Sequence, residues 1–189
     1  MDKAVFLDRD GVIIEEVNYL CNVEDIKIIE GIPESLAILK KNNFKLIVIT
    51  NQPVIARGLA TEEEVEKIHK EINFRIKQQS GVEIDKFYFC PHHPNADLEK
   101  YRISCNCRKP SPGFILQAVI DFDIDLSKSW MIGDRTSDIA TGKNAGCKNV
   151  LIEKEYSKNK IQGIEYQDVQ PDFVAENLNK AVKQIVYGN

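Results

Sequence analysis

The sequence predicts an α/β fold: a doubly wound parallel sheet with helices packed on both faces. Three observations predict it. Short, nearly continuous apolar runs, as expected of strands buried on both faces, alternate with amphipathic stretches of helical period. The chain has 189 residues, enough for one domain with a sizeable core. Hydrophobic residues make up 43% and charged residues 29%, ordinary globular usage.

Each element has its own justification. Lys3–Leu7, Lys45–Ile49, Ile84–Phe89, Trp130–Ile132 and Asn149–Ile152 are apolar runs of strand length. Thr61-Glu62-Glu63-Glu64 is a capping box, and Val65, Ile68, Ile72 and Ile76 follow at helical spacing. Ser111-Pro112 opens a second helix, with proline at its first position and Ile115, Leu116, Val119 and Ile120 on the inner face. A third runs from about Ser137 to Ala145 and stops at Gly146, and a last one covers about Ala175–Val186. This βαβα alternation makes the sheet parallel and Rossmann-like. The stretch Cys90–Lys109 fits neither period, and so long a loop is uncommon unless it is functional or tied down. Residues 1–189 read as one domain carrying this loop.

Composition excludes several roles. The net charge is −4, so no global basic field exists to hold nucleic acid or an anionic membrane. No apolar run approaches the roughly 20 residues of a bilayer span. The segment Met1–Asp8 meets acid too early for a signal peptide and reads as a strand. The expectation is a soluble, cytoplasmic monomer with no nucleic-acid or membrane partner.

In open parallel sheets ligands sit beyond the carboxyl ends of the strands. The first strand is followed by Asp8-Arg9-Asp10-Gly11 and the second by Thr50-Asn51-Gln52. Arg108-Lys109-Pro110 precedes a helix, and the fourth strand leads into Gly133-Asp134-Arg135 with Asp138 beyond. Asp8, Asp10 and Asp134 brought together would repel without a cation, and hard oxygen donors with room for water suit Mg²⁺. Lys109, Arg108 and Thr50 then face an anion with tetrahedral oxygens, which a phosphoryl group satisfies.

Phe6-Leu7-Asp8-Arg9-Asp10-Gly11-Val12-Ile13, Ile49-Thr50-Asn51-Gln52, Arg108-Lys109-Pro110 and Ile132-Gly133-Asp134-Arg135-x-x-Asp138 resemble the four motifs of the haloacid dehalogenase superfamily of phosphatases. The resemblance implies that Asp8 is the nucleophile and forms an aspartyl-phosphate, while Asp10 is general acid and then base. It implies Mg²⁺ on Asp8, Asp134 and the backbone carbonyl of Asp10, and Thr50 and Lys109 on the phosphoryl oxygens. Asp138 would hold Lys109 or a metal-bound water. The intervals between the motifs are filled by core elements, so no cap domain is expected.

Cys90, Cys105 and Cys107 crowd together beside His92 and His93, while Cys21 and Cys147 stand apart as packing residues. Cys-x-His, twelve residues, Cys-x-Cys offers one imidazole and three thiolates, a closed tetrahedral set for structural Zn²⁺ on Cys90, His92, Cys105 and Cys107. His93 is the rival ligand. His69, within the capped helix, reads as an ordinary helix-face residue.

Cys-Pro-His-His-Pro…Cys-x-Cys-Arg-Lys-Pro-x-Pro-Gly is similar to the zinc-containing phosphatases of heptose 1,7-bisphosphate, as is Ile55-Ala56-Arg57-Gly58 after Asn51-Gln52. That resemblance implies a sugar bisphosphate substrate, surface-glycan precursor chemistry, and substrate contacts by Glu16, Val17, Asn18, Tyr19, Asn51, Gln52, Pro53, Arg108 and Arg135. Two departures stand out: Pro53-Val54 where that group commonly has Ser-Gly, and Arg135 where many members have Lys. Histidinol-phosphate phosphatases are the nearest alternative, with typically shorter spacing between the zinc pairs. A phospho-accepting receiver domain requires an Asp at the end of a middle strand, where this chain has Thr50 and Cys90. A zinc-knuckle nucleic-acid binder requires basic and aromatic residues that this acidic chain barely offers.

Overall fold

The computed structural model describes residues 1–154 and 169–188. Six parallel strands form one sheet in the order β3-β2-β1-β4-β5-β6. They are β1 (Lys3–Leu7), β2 (Phe44–Asn51), β3 (Lys86–Cys90), β4 (Trp130–Gly133), β5 (Lys148–Ile152) and β6 (Phe173–Ala175). The register pairs Val5 with Leu46 across β1–β2 and Leu7 with Ile132 across β1–β4. The helices are α1 (Ile32–Lys41), α2 (Pro53–Ala56), α3 (Glu62–Ser80), α4 (Gly113–Phe122), α5 (Thr136–Ala145) and α6 (Leu178–Tyr187).

Side chains alternate across a strand, so each face of the sheet gathers its own core. Val5, Leu7, Leu46, Val48 and Ile132 meet Leu36 and Leu39 of α1, Ile68, Ile72 and Ile76 of α3, and Val182 of α6. Ala4, Phe6, Ile47, Ile49 and Met131 meet Ile115 and Ala118 of α4 on the other face. Truncating a fully buried Leu such as Leu36 should cost about 2–5 kcal/mol through lost transfer energy and a cavity. The expected capping box of α3 is present: Glu64 N–H donates to Thr61 Oγ1 at 3.2 Å, and Thr61 N–H to Glu64 Oε2 at 2.7 Å.

Three expectations need correction. Strand β6 is additional, and it takes Ala175; α6 starts only at Leu178, capped by Asn177, whose side chain accepts from Lys180 N–H at 2.9 Å. Pro112 is the residue before α4 rather than its first. The inner stripe of that helix is Ile115 and Ala118 flanked by Val119 and Phe122, whereas Leu116 and Ile120 are 47% and 78% exposed.

The stretch 90–109 contains one 3-10 turn, Glu99–Tyr101. Asp97 and Leu98 N–H groups both donate to Ala56 O at 3.0 Å, and Tyr101 O–H donates to Glu62 Oε1 at 2.7 Å. These bonds and the apolar contacts of Ala96 and Tyr101 with Val54, Ile55 and Val65 seat the loop on α2 and α3. Among the described residues, no helix is long and apolar enough to cross a membrane.

Candidate active site

Strand order reverses at β1, whose neighbours β2 and β4 lead to opposite halves of the sheet. A crevice opens beyond the strand ends at such a point. Asp8 follows β1, Thr50 lies near the end of β2, and Asp134 follows β4. Gly11 has φ +78°, a left-handed turn that takes the chain away from the sheet immediately after Asp10. The cleft measures about 900 Å³ and is lined by Asp8, Asp10, Thr50, Lys109 and Asp138, among others.

Asp8, Asp134 and Asp138 are buried and each brings a carboxylate oxygen within 4.8 Å of the others. Lys109, also buried, lies 2.8 Å from Asp8 Oδ1 and 2.6 Å from Asp138 Oδ1. Asn51 fastens that lysine to β2: Lys109 N–H donates to Asn51 Oδ1 at 3.0 Å, and Asn51 Nδ2 donates to Lys109 O at 3.2 Å. Asp138 Oδ2 also accepts from Arg135 N–H at 3.0 Å, which caps α5. Burial pushes Asp8 up to about 7, with Asp138, Asp134 and Asp10 adding to the rise and Lys109 opposing it. Burial pulls Lys109 down, but Asp138 and Asp8 more than offset it, so the ammonium is held above its usual range. Three buried carboxylates against one ammonium form a donor set suited to a divalent cation with oxygen preference.

Asp10 faces a different partner set. Arg9 Nη2 donates to both Asp10 oxygens, at 2.8 and 2.9 Å, and Gln52 Nε2 donates to Asp10 Oδ2 at 3.0 Å. The reading of His69 as an ordinary helix-face residue is corrected here. Its ring is buried, stacks on Phe87 at 4.8 Å between centroids, and places Nε2 3.3 Å from Arg9 Nη1. Sequence reading missed both Arg9 and His69.

At the cleft mouth Arg135 donates to Glu16 Oε1, joining the segment after β1 to the start of α5. Arg57 lies 5.5 Å over the Tyr19 ring. Val17 and Asn18 also line the cleft, and Arg108 Nη1 donates to His92 O at 3.0 Å. Pro53 occupies the first turn of α2, where a missing N–H costs nothing, and Val54 is buried. The two stiff residues are therefore those that begin a helix.

Cys90, His92, Cys105 and Cys107 converge beside the cleft. His92 Nδ1 lies 3.6 Å from Cys90 Sγ and 3.3 Å from Cys107 Sγ. Cys90 Sγ lies 3.6 Å from Cys105 Sγ and 3.1 Å from Cys107 Sγ. A tetrahedron with metal–sulfur bonds near 2.3 Å has edges of about 3.7 Å, so the four atoms could hold one metal ion. His93 lies outside the set, with Nδ1 accepting from Asn95 N–H at 3.0 Å.

Comparison with known proteins adds names to this geometry. Residues 106–181 match the HAD-hydrolase-like family model. The chain is 33% identical over 187 residues to D-glycero-beta-D-manno-heptose-1,7-bisphosphate 7-phosphatase of Haemophilus ducreyi, covering 99% of this chain and 98% of that one. It is 34% identical to the D-glycero-D-manno-heptose-1,7-bisphosphate 7-phosphatase of Chlorobaculum tepidum, covering 98% and 95%. A crystal structure of D,D-heptose 1,7-bisphosphate phosphatase from B. bronchiseptica, complexed with magnesium and phosphate, superposes with a TM-score of 0.83 at 26% identity, covering 99% of both chains.

Proposed function

The chain belongs to the heptose-1,7-bisphosphate 7-phosphatase family of HAD-like phosphoric monoester hydrolases, and on that premise we propose that it removes the 7-phosphate of D-glycero-D-manno-heptose 1,7-bisphosphate. The observation that carries the reading is the buried cluster of Asp8, Lys109, Asp134 and Asp138 at the strand-order reversal. It combines a nucleophile, a fixed cation and a donor set for a divalent metal.

Asp8, Asp134 and the backbone of Asp10 would hold Mg²⁺, which supplies charge neutralisation for the phosphoryl group and for the attacking carboxylate. A carboxylate oxygen of Asp8 attacks phosphorus in line, and the bond from phosphorus to the sugar oxygen breaks. Asp10 gives its proton to the departing alkoxide. It then takes a proton from the water that attacks the aspartyl-phosphate, and inorganic phosphate leaves as Asp8 is restored. Lys109 and Thr50 meet the equatorial oxygens throughout. The sugar lies against Glu16, Val17, Asn18 and Tyr19 on one side and Asn51, Gln52 and Pro53 on the other. Arg108 and Arg135 supply positive charge for the second phosphate. Cys90, His92, Cys105 and Cys107 would hold structural Zn²⁺, which would fix the segment that ends in Arg108 and Lys109.

The deciding measurement is kcat/KM on both anomers of heptose 1,7-bisphosphate and on histidinol phosphate under one set of conditions. A heptose anomer should lead by at least about tenfold, a difference of about 1.4 kcal/mol in transition-state binding. Preference for histidinol phosphate overturns the substrate, and robust turnover by Asp8→Asn overturns the nucleophile.

A further inference from the structure

Arg9 is one of the largest side chains in the interior, only 1% exposed. Besides its two bonds to Asp10, Nη2 donates to Gln52 Oε1 at 3.0 Å, and Nε lies 3.3 Å from Asp10 Oδ1. A guanidinium only donates. His69 Nε2, 3.3 Å from Nη1, must therefore accept, and the ring proton sits on Nδ1. Burial, then the charge of Arg9, holds His69 well below its usual range, consistent with a neutral ring.

The same logic orients Gln52. Its Oε1 faces a pure donor, so Nε2 faces Asp10 Oδ2 at 3.0 Å and Thr50 Oγ1 at 2.8 Å. Thr50 Oγ1 accepts, which leaves its hydroxyl proton for an anion in the cleft. The donors thus run in one direction from Arg9: back to His69, forward to Asp10, and through Gln52 to Thr50. Phe87 stacks on the imidazole and Phe89 meets it edge-on at 5.5 Å, so the acceptor end of this network has little freedom.

We propose that His69 and Arg9 are positioning residues that fix the Asp10 carboxyl for proton delivery to the leaving alkoxide, and that Gln52 extends the same order to Thr50. The inference rests on Asp10 being the general acid. Without the imidazole acceptor, one face of a buried guanidinium loses its partner, which is costly enough to tilt the group. Asp10 then loses its alignment although Asp8, Lys109 and the metal donors stay in place.

The test uses leaving groups that differ in their need for a proton. A sugar alkoxide needs one to depart, whereas p-nitrophenolate leaves readily without. Full-length His69→Phe keeps a stacked ring and removes the acceptor, and His69→Gln returns an acceptor oxygen. With Mg²⁺ present, His69→Phe should lower kcat/KM on the sugar phosphate about 10- to 100-fold and on p-nitrophenyl phosphate less than about threefold. His69→Gln should recover to within about threefold on the sugar phosphate. Equal losses on the two substrates, no loss at all, or a Gln variant as impaired as the Phe variant overturn the proposal. Should His69→Phe fail to fold, His69→Leu serves instead: it also removes the acceptor and should show the same selective loss, and a uniform loss overturns the proposal. Asp8→Asn run in parallel separates the two readings. Its survival on either substrate sinks the nucleophile assignment, whereas an inactive Asp8→Asn beside an unselective His69→Phe sinks only the positioning role.

Discussion

Replacing Asp8 with Asn should stabilise the metal-free protein while abolishing turnover. Asp8 is buried beside two other buried carboxylates, and its pKa rises from 3.8 to about 7 with Lys109 already counted in its favour. A raised folded-state pKa means that ionising the group works against folding. The stability present below pH 4 is lost as pH climbs through 7. At about 1.4 kcal/mol per pH unit the full loss is about 4 kcal/mol at pH 8, and about 1–2 kcal/mol at pH 5. Asparagine has nearly the same shape and no charge, so it escapes that loss. Urea unfolding in EDTA should therefore place Asp8→Asn about 3–4 kcal/mol above the parent at pH 8 and about 1–2 kcal/mol above it at pH 5. Saturating Mg²⁺ should narrow the gap, because it binds the parent more strongly and stabilises it by mass action. An Asn variant that is no more stable in EDTA at pH 8, or whose advantage fails to shrink on acidification, refutes the argument that Asp8 is held ionised against its surroundings.

His69 is held well below its usual pKa, so its stabilising contribution is present above pH 6.5 and declines as pH falls, when the unfolded chain takes up a proton that the fold refuses. Stability measured by urea should drop by about 1 kcal/mol more between pH 7 and 5.5 in the parent than in His69→Gln, and equal drops would show that the ring protonates in place. A Cβ at Gly113 would lie 2.2 Å from Asn106 O, and Asn106 separates Cys105 from Cys107 of the proposed zinc set. Gly113→Ala should cost about 1–3 kcal/mol by overpacking and release bound zinc faster to a weak chelator, as read by metal content after dialysis. On the proposal that Cys90, His92, Cys105 and Cys107 hold zinc, stripping it with a strong thiol-selective chelator should expose 90–109 to proteolysis and lower kcat/KM more than about tenfold, because Lys109 follows Cys107 by two residues. Retained activity in zinc-free protein would make the metal irrelevant to placing that lysine.

Most of the sheet is legible in the sequence because its strands are buried on both sides, so selection for apolar residues leaves a run rather than an alternation. Lys3–Leu7 is read to the residue, and β2, β3, β4 and β5 differ only at their ends. Strand β6 escapes because three residues at a sheet edge, with Val174 half-exposed, carry too little pattern to outweigh a neighbouring helix. The inner face of α4 escapes for the opposite reason. Phe114, Ile115, Leu116, Val119, Ile120 and Phe122 surround the helix with apolar groups, so several stripes satisfy the period and only contact with β2 and β4 selects one. The first stretch after Asp10 contains α1, whose Leu36 and Leu39 mark a buried side without marking where the helix begins.

The site divides along a similar line. Asp8, Thr50, Lys109 and Asp134 are legible because a parallel sheet collects its strand ends, and that requires no knowledge of side-chain packing. Arg9 and His69 are sixty residues apart, and no spacing rule joins them. One physical signal does point there: an arginine between two acids at a strand end must either reach solvent or find acceptors inside, and this one is buried. With Asp10 ionised as its countercharge, the state left once its proton has gone, Arg9 forms a unit that is neutral overall, completed by the uncharged acceptors of His69 and Gln52. The other half of the site, Asp8, Asp134 and Asp138 with Lys109, retains two negative charges, which one divalent cation would cancel. On the proposed mechanism Asp8 meets the substrate anion beside the metal donors, while the charge left on Asp10 after proton transfer is answered by Arg9 rather than by the metal.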